Sequence, residues 1–305
     1  MAREEMKLIV NPVAANGAVG RNWTRVCDFL QAEGAKFDAI LTEEPGHATR
    51  LARQALDDGY RTIVAVGGDG TVNEVLNGLV EEGAVDPEVT LGIIPCGTGA
   101  DFSRTVGIPR DYVGACRQLL RFETRLVDLG RITCLRQGQE VERYFINVAG
   151  LGFDGEVAEL ANRSPKVLGG TITYLACLFT SLVTYRNKNV ELSFDGQHLR
   201  GRLNSVIVCN GRYFGGGMFV APGASLDDGI FDVVILGNLN KLEVVVNLPR
   251  LYKGTHLTHP KVSLCHAREI HVEARERMFL QAEGELIGEA PATFQIIPRA
   301  LRVLV

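Results

Sequence analysis

The segment TIVAVGGDGTVNEV, residues 62–75, constrains this chain more than any other. A β-branched run through Thr62, Ile63, Val64 and Val66 meets three glycines and an aspartate, and a helix pattern follows at once. Gly67, Gly68 and Gly70 remove side chains at the bend, so backbone N–H groups can close on a phosphate. Asp69 would repel a bare phosphate; a divalent cation between the two suits both. Thr71 and Glu74 have the spacing of a capping box. A lone Gly-Gly would mean only a tight turn. Strand, GGDG, cap and helix together favour a nucleotide site.

Around this turn, strand and helix alternate. Strand-like runs are Lys7–Val10, Phe37–Leu41, Thr62–Val66 and Thr90–Ile94. Helix-like runs are Arg21–Glu33, His47–Asp58, Thr71–Glu82 and Asp111–Phe122. Such alternation predicts a doubly wound α/β domain over residues 1–126, with a parallel sheet covered on both faces. Ligands bind such sheets at the carboxyl ends of the strands, where NPVAANG, GGDG and PCGTG all fall. In PCGTGADFSR, Asp101 and Arg104 stand three apart: a carboxylate for metal and a guanidinium for phosphate, or an ordinary surface pair. Arg21 is either a phosphate contact or a solvated arginine.

From about Leu126 the texture turns β-rich. Strand-like runs are Leu126–Thr133, Arg143–Val148, Asn189–Phe194, Arg200–Asn210, Phe231–Leu236 and Glu269–Glu273, with turn signals between them. Helical pattern survives around Ile172–Tyr185 and Lys241–Leu251. Residues 127–293 are expected to form a β-sandwich, and 294–305 a strand that returns to the first domain. The cleft between the domains is then the default active site. Asp128, at the border, is either a third acid for that cleft or a strand-edge aspartate. Asp227, Asp228 and Asp232 surround a turn that suits Mg²⁺ or Ca²⁺ as well as a plain hairpin. Glu283, Glu285 and Glu289 offer a general base or a solvated acidic loop. The histidines build no metal site, and no Ser-His-Asp or Cys-His arrangement supports a hydrolase.

With 305 residues and a net charge of −4, the chain has no broad basic surface for nucleic acid. Seven scattered cysteines without a CxxC fit reduced thiols in a cytosolic protein. The N-terminus reads as a first strand rather than a signal peptide. Val167–Tyr185 carries no charge but holds two glycines and several hydroxyls, which makes it a partly buried helix first and a membrane-facing one second.

The ordered set NP…G (11–17), GGDGTVNEV (67–75), PCGTGADFSR (95–104), GFDGEV (152–157), GGG…PGASLDDGIFD (215–232) and EGE (283–285) resembles the bacterial soluble diacylglycerol kinase family over nearly the whole chain. That family is related to sphingosine and ceramide kinases and, more distantly, to phosphofructokinases and NAD kinases. The resemblance implies ATP- and Mg²⁺-dependent phosphorylation of a membrane lipid hydroxyl, most simply diacylglycerol to phosphatidic acid. It implies that Asn11, Thr42, Gly67, Gly68, Asp69, Gly70, Thr71, Val72, Asn73, Gly97, Thr98 and Arg104 line the ATP. Asp69, Asp101 and Asp128 would surround the catalytic metal, and Glu285 would deprotonate the lipid. A structural Mg²⁺ would sit on Asp228 and the carbonyls of Ser225 and Ile230. The enzyme would be cytoplasmic, peripheral at the inner membrane surface, and often a dimer.

The pattern departs from the family at Ala100, where asparagine is usual, at Glu283, where aspartate is usual, and at Ala15-Asn16, where a serine is common. The rival readings are a kinase of another acceptor, sphingoid or soluble, and a non-catalytic nucleotide- or lipid-binding regulator of the same fold.

Overall fold

The computed structural model describes residues 5–96, 99–163 and 170–305. They divide into two compact units, one running to Asp128 and including Arg299–Val305, the other Leu129–Pro298.

In the first unit, β1 (Met6–Val10), α1 (Ala14–Ala32), β2 (Phe37–Leu41), α2 (His47–Asp57), β3 (Thr62–Gly67), α3 (Asp69–Leu79), β4 (Thr90–Pro95), α4 (Asp101–Val106) and α5 (Tyr112–Leu119) follow in order. The strands run parallel in the order β2-β1-β3-β4. The apolar central strands β3 and β4 are buried along their whole length, whereas edge strand β2 is largely exposed. Helix α2 packs against α3, and α1 against α5. Register sets Val10 beside Leu41 and Val66, and Gly67 beside Pro95, so the turns that follow these strands emerge at one end of the sheet.

The regular coil of α1 starts later than its first residue. Ala15, Asn16 and Gly17 are left-handed, with φ of 52°, 55° and 78°. Arg21, open in sequence between phosphate contact and solvent, donates to the carbonyl of Asn16 at 3.1 Å and braces this loop.

The second unit holds most of β5 (Thr124–Arg136), then β6 (Gln139–Phe145), β7 (Val148–Gly152), α6 (Phe153–Arg163), α7 (Gly170–Thr184), β8 (Lys188–Phe194), β9 (Gln197–Leu203), β10 (Ser205–Cys209), β11 (Phe231–Leu236), α8 (Lys241–Tyr252), β12 (Val262–Ala267), β13 (Glu269–Ala274), β14 (Phe279–Ala282) and much of β15 (Glu285–Leu304). One antiparallel layer runs β12-β11-β10-β7-β14-β15. A second continues from β15 through β13 and β8 to β9. Between them lies a core in which Phe145 stacks on Phe231 at 5.6 Å and meets Phe294 edge-on at 6.4 Å. Alternation along β10 sends Val206 and Val208 into this core, and Ile207 and Cys209 to the opposite face of the layer.

Two sequence readings change here. Arg200–Asn210 is not one strand: it breaks at Asn204, and β9 pairs with β8 while β10 pairs with β7 and β11. A helix the pattern did not predict, α6, begins inside the GFDGEV motif. Of the apolar 167–185 stretch, residues 167–169 lie outside the described residues, and among those described no helix is long and apolar enough to cross a membrane.

Candidate active site

The turn after β3 opens directly onto α3. Gly68 stands in the N-cap position with extended backbone, and no side chain caps the helix. The first-turn N–H groups of α3 are therefore available to an anion, at the positive end of the helix dipole. The capping box expected from Thr71 and Glu74 does not form: the helix starts earlier, with Gly68 at the N-cap, and both side chains serve neighbours. Thr71 Oγ1 accepts Nδ2 of Asn11 at 3.0 Å, which ties the turn after β1 to α3. The Glu74 carboxylate accepts N–H of Gly46 at 2.9 Å and of Ala48 at 3.1 Å, so it caps the start of α2 instead.

Asp69, the first residue of α3, accepts the N–H of Phe102 at 3.3 Å. Its carboxylate and that of Asp101 both border Gly99. A β-carbon on Gly99 would lie 2.9 Å from Asp69 Oδ2 and 3.6 Å from Asp101 Oδ2. Glycine there leaves a side-chain-free recess between two acids on two different turns. Asp101 is 4 % exposed, and Arg104 lies 3.9 Å from its Oδ1, so the i, i+3 pair read from sequence is formed.

Asn11 and Thr42 stand where β1 and β2 end, and Thr42 N–H donates to the Val10 carbonyl at 2.8 Å. Val72 and Asn73 are turned inward, Asn73 Oδ1 accepting Nδ2 of Asn77 at 2.9 Å. Gly97 and Thr98 lie outside the described residues. Asp128 is fully buried, and its Oδ1 accepts the N–H of Arg299 at 2.6 Å. Ala100, also buried, is left-handed at φ 48° and stands at the N-cap of α4.

In the second unit, Glu283 and Gly284 form the two-residue turn between β14 and β15, both with positive φ. Glutamate is an unusual choice there. It is held by its carboxylate, which accepts N–H of Asn147 at 2.7 Å and of Ile146 at 3.1 Å. Glu285, the first residue of β15, is half-buried opposite Ala282. Glu289 pairs with Arg277. Ser225, Asp228 and Ile230 lie on one turn, where Asp228 Oδ1 accepts the N–H of Ile230 at 3.2 Å and Ser225 Oγ donates to Asp227 at 2.8 Å. Asp232 faces His266 at 3.4 Å; burial raises its carboxyl above the ordinary range, and His266 opposes that shift. Among the described residues, no three His, Cys, Asp or Glu side chains gather into a metal-binding group.

One residue of interest escaped the sequence reading. Asp154 is the second residue of α6, and its Oδ2 accepts Nε2 of Gln281 at 3.0 Å while Oδ1 is sealed from solvent without a partner. Burial pushes this carboxyl above the usual carboxylate range. A β-carbon on Gly150 would lie 2.1 Å from Asp154 Oδ2, so glycine makes room for the acid. Asp154 lines an apolar chamber on the outer face of the sheet, together with Ile207, Leu178 of α7 and Val244, Leu248 and Leu251 of α8. Asp154 is followed by Gly155 and preceded, across Phe153, by Gly152 at the end of β7, a GFDG turn that resembles GGDG.

Comparison with known proteins agrees with this layout. The diacylglycerol kinase catalytic domain model matches residues 5–132, and the YegS C-terminal NAD kinase beta sandwich-like domain model matches residues 147–305. A Bacillus subtilis relative named diacylglycerol kinase is 32 % identical over 302 residues, covering 98 % of this chain and 95 % of its own. A Staphylococcus carnosus relative of the same name is 29 % identical over 301 residues, covering 99 % and 95 %. Among solved structures, a Bacillus anthracis diacylglycerol kinase shares the fold at TM-score 0.72 and 24 % identity, covering 100 % of this chain and 97 % of that one. Yeast NADH kinase shares it at TM-score 0.52 and 10 % identity, covering 99 % and 83 %.

Proposed function

The chain belongs to the diacylglycerol kinase family, and from that premise we propose that it transfers the terminal phosphoryl group of ATP to the free hydroxyl of diacylglycerol. The observation that carries the reading is that Asp69 and Asp101, from two different turns, both border Gly99, next to the uncapped start of α3. Phosphoryl transfer asks a protein for position and charge neutralisation more than for covalent chemistry.

The backbone N–H groups of the GGDG turn hold phosphate oxygens, and Arg104 adds a guanidinium close to Asp101. Two carboxylates facing one recess repel each other unless a cation lies between them, and hard oxygen donors suit Mg²⁺. Asp69 and Asp101 would hold that ion, with Asp128 as the third acid of the set; when bound, it neutralises triphosphate charge and polarises the group in transfer. Glu285 takes the proton from the acceptor hydroxyl. The turn at Ser225, Asp228 and Ile230, an all-oxygen set within six residues, suits a structural Mg²⁺. The acceptor resides in a bilayer, so the enzyme works as a peripheral protein at the membrane surface.

The deciding experiment is transfer from labelled ATP to a panel of lipids and soluble alcohols, with products identified by mass. Phosphatidic acid formed only when diacylglycerol is present supports the reading. Labelling of a soluble acceptor instead overturns the lipid assignment. Nucleotide binding without transfer to any acceptor makes the protein a regulator.

A further inference from the structure

Helix α8 carries its apolar stripe on the wrong side for a protein surrounded by water. Its solvent face presents Leu242, Val245, Val246, Pro249 and Tyr252, at i, i+3, i+4, i+7 and i+10, and no residue of the helix is buried. Leu242 is 72 % exposed and Val246 62 %. Helix α7 does the same with Phe179 and Val183, 60 % and 67 % exposed, and its sequence holds no charged residue. The two helices are neighbours: Lys241 at the start of α8 donates to the carbonyl of Val183, and both helices line the apolar chamber that holds Asp154.

We propose that this paired face seats the protein on an anionic bilayer, with Leu242, Val246, Phe179 and Val183 entering the acyl layer. Charge selects the occupant. Arg186, Arg202 and Lys241 line one hollow between the end of α7 and the start of α8, and Lys253 follows α8; all four are exposed. The acid on α8, Glu243, is neutralised by Lys261 at 2.7 Å. Apolar side chains bordered by cations fit the region between lipid headgroups and acyl chains. A second copy of the chain would set these cations against their own counterparts. The chamber behind the two helices is apolar as well, so an acyl chain leaving the bilayer would pass from one apolar surroundings to another.

Docking stands on the helix faces alone; its use for substrate delivery rests on the lipid-kinase reading. The test pairs Leu242→Glu/Val246→Glu with the wild type, both checked for folding by circular dichroism. Co-sedimentation uses vesicles of phosphatidylcholine with or without phosphatidylglycerol. Wild type is expected to bind the anionic vesicles and to release in high salt, with the double variant at least about tenfold weaker. Activity is measured on long-chain diacylglycerol in the same vesicles and on a water-soluble short-chain diacylglycerol without vesicles. The variant is expected to lose only the first. Equal vesicle binding by wild type and variant overturns the proposal, as does a wild-type dimer that the variant abolishes with neither form binding vesicles. Face-dependent binding without transfer to either acceptor keeps the docking surface and removes the kinase reading instead.

Discussion

The Asp69 carboxylate accepts the backbone N–H of Phe102 at 3.3 Å, so a single side chain links the glycine turn of α3 to the start of α4. That bond needs an oxygen but not a charge, whereas a cation needs the charge. Asp69→Asn should fold like wild type, with a melting temperature close to it, yet lose at least about 10²-fold in kcat, the scale on which a single electrostatic group contributes. Asp69→Ala should abolish transfer. Normal turnover in either variant would remove the metal role of this acid.

Glu283 and Glu285 sit two residues apart and should behave oppositely. Glu285→Gln should cut kcat by about 10²–10⁴-fold, as loss of a general base does, with ATP affinity unchanged in equilibrium binding. Glu283→Gln weakens two backbone contacts and should appear as lowered stability in denaturant unfolding. A full rate in Glu285→Gln would assign the proton transfer to another group.

Glu74 anchors the start of α2 from a different helix. Glu74→Ala leaves the N–H groups of Gly46 and Ala48 without their acceptor and should cost about 1–2 kcal/mol, in the range of a lost N-cap. Urea unfolding followed by circular dichroism would measure it; no change would mean that water replaces the carboxylate.

Ala100 pays for a left-handed backbone that glycine adopts freely. Ala100→Gly should stabilise the fold by about 1 kcal/mol. Ala100→Asn should also stabilise it, since asparagine tolerates this conformation, and it restores an amide beside Asp101. Tighter nucleotide binding in the asparagine variant alone, by calorimetry, would show that the amide matters and not the strain.

Asp154 gives the fold a pH dependence of known sign. Its folded pKa is raised, chiefly by burial. As pH climbs through the ordinary carboxylate range, the unfolded chain ionises this group while the folded one keeps it neutral, so stability falls until the folded group ionises too. Asp154→Asn removes that loss and can still accept from Gln281. Its melting temperature should exceed wild type at neutral pH, with the gap closing toward pH 4. A gap that does not narrow in acid would place the ionisation elsewhere.

The central parallel strands β1, β3 and β4 were legible because each is a short apolar run closed by glycine or proline within two residues, and central burial demands nothing subtler. The Asp69–Asp101 pair was legible as two acids on two such turns. Side-chain partners across elements were not. Thr71 and Glu74 satisfy the spacing of a capping box, but α3 starts earlier, at Gly68, and the two side chains turn to Asn11 and to the start of α2. Helix α6 stayed hidden because Gly155 lowers its local propensity. A β-carbon there would stand 2.1 Å from the carbonyl of Phe279, so that glycine answers to β14 rather than to its own helix. Nor does sequence show that Asn204 divides two strands bound for different layers, since no glycine, proline or turn pair separates the mixed run QHLRGRL from the β-branched run SVIVC.

In the first unit's sheet, Arg302 and Val303 pair with Thr90 and Leu91, two hundred residues upstream in order of synthesis by rough count. During synthesis β4 therefore keeps a bare edge until Arg302 and Val303 have emerged, and an unpaired edge is an invitation to other chains. Loss of residues 299–305 would leave every proposed catalytic acid in place and still yield a protein prone to clump.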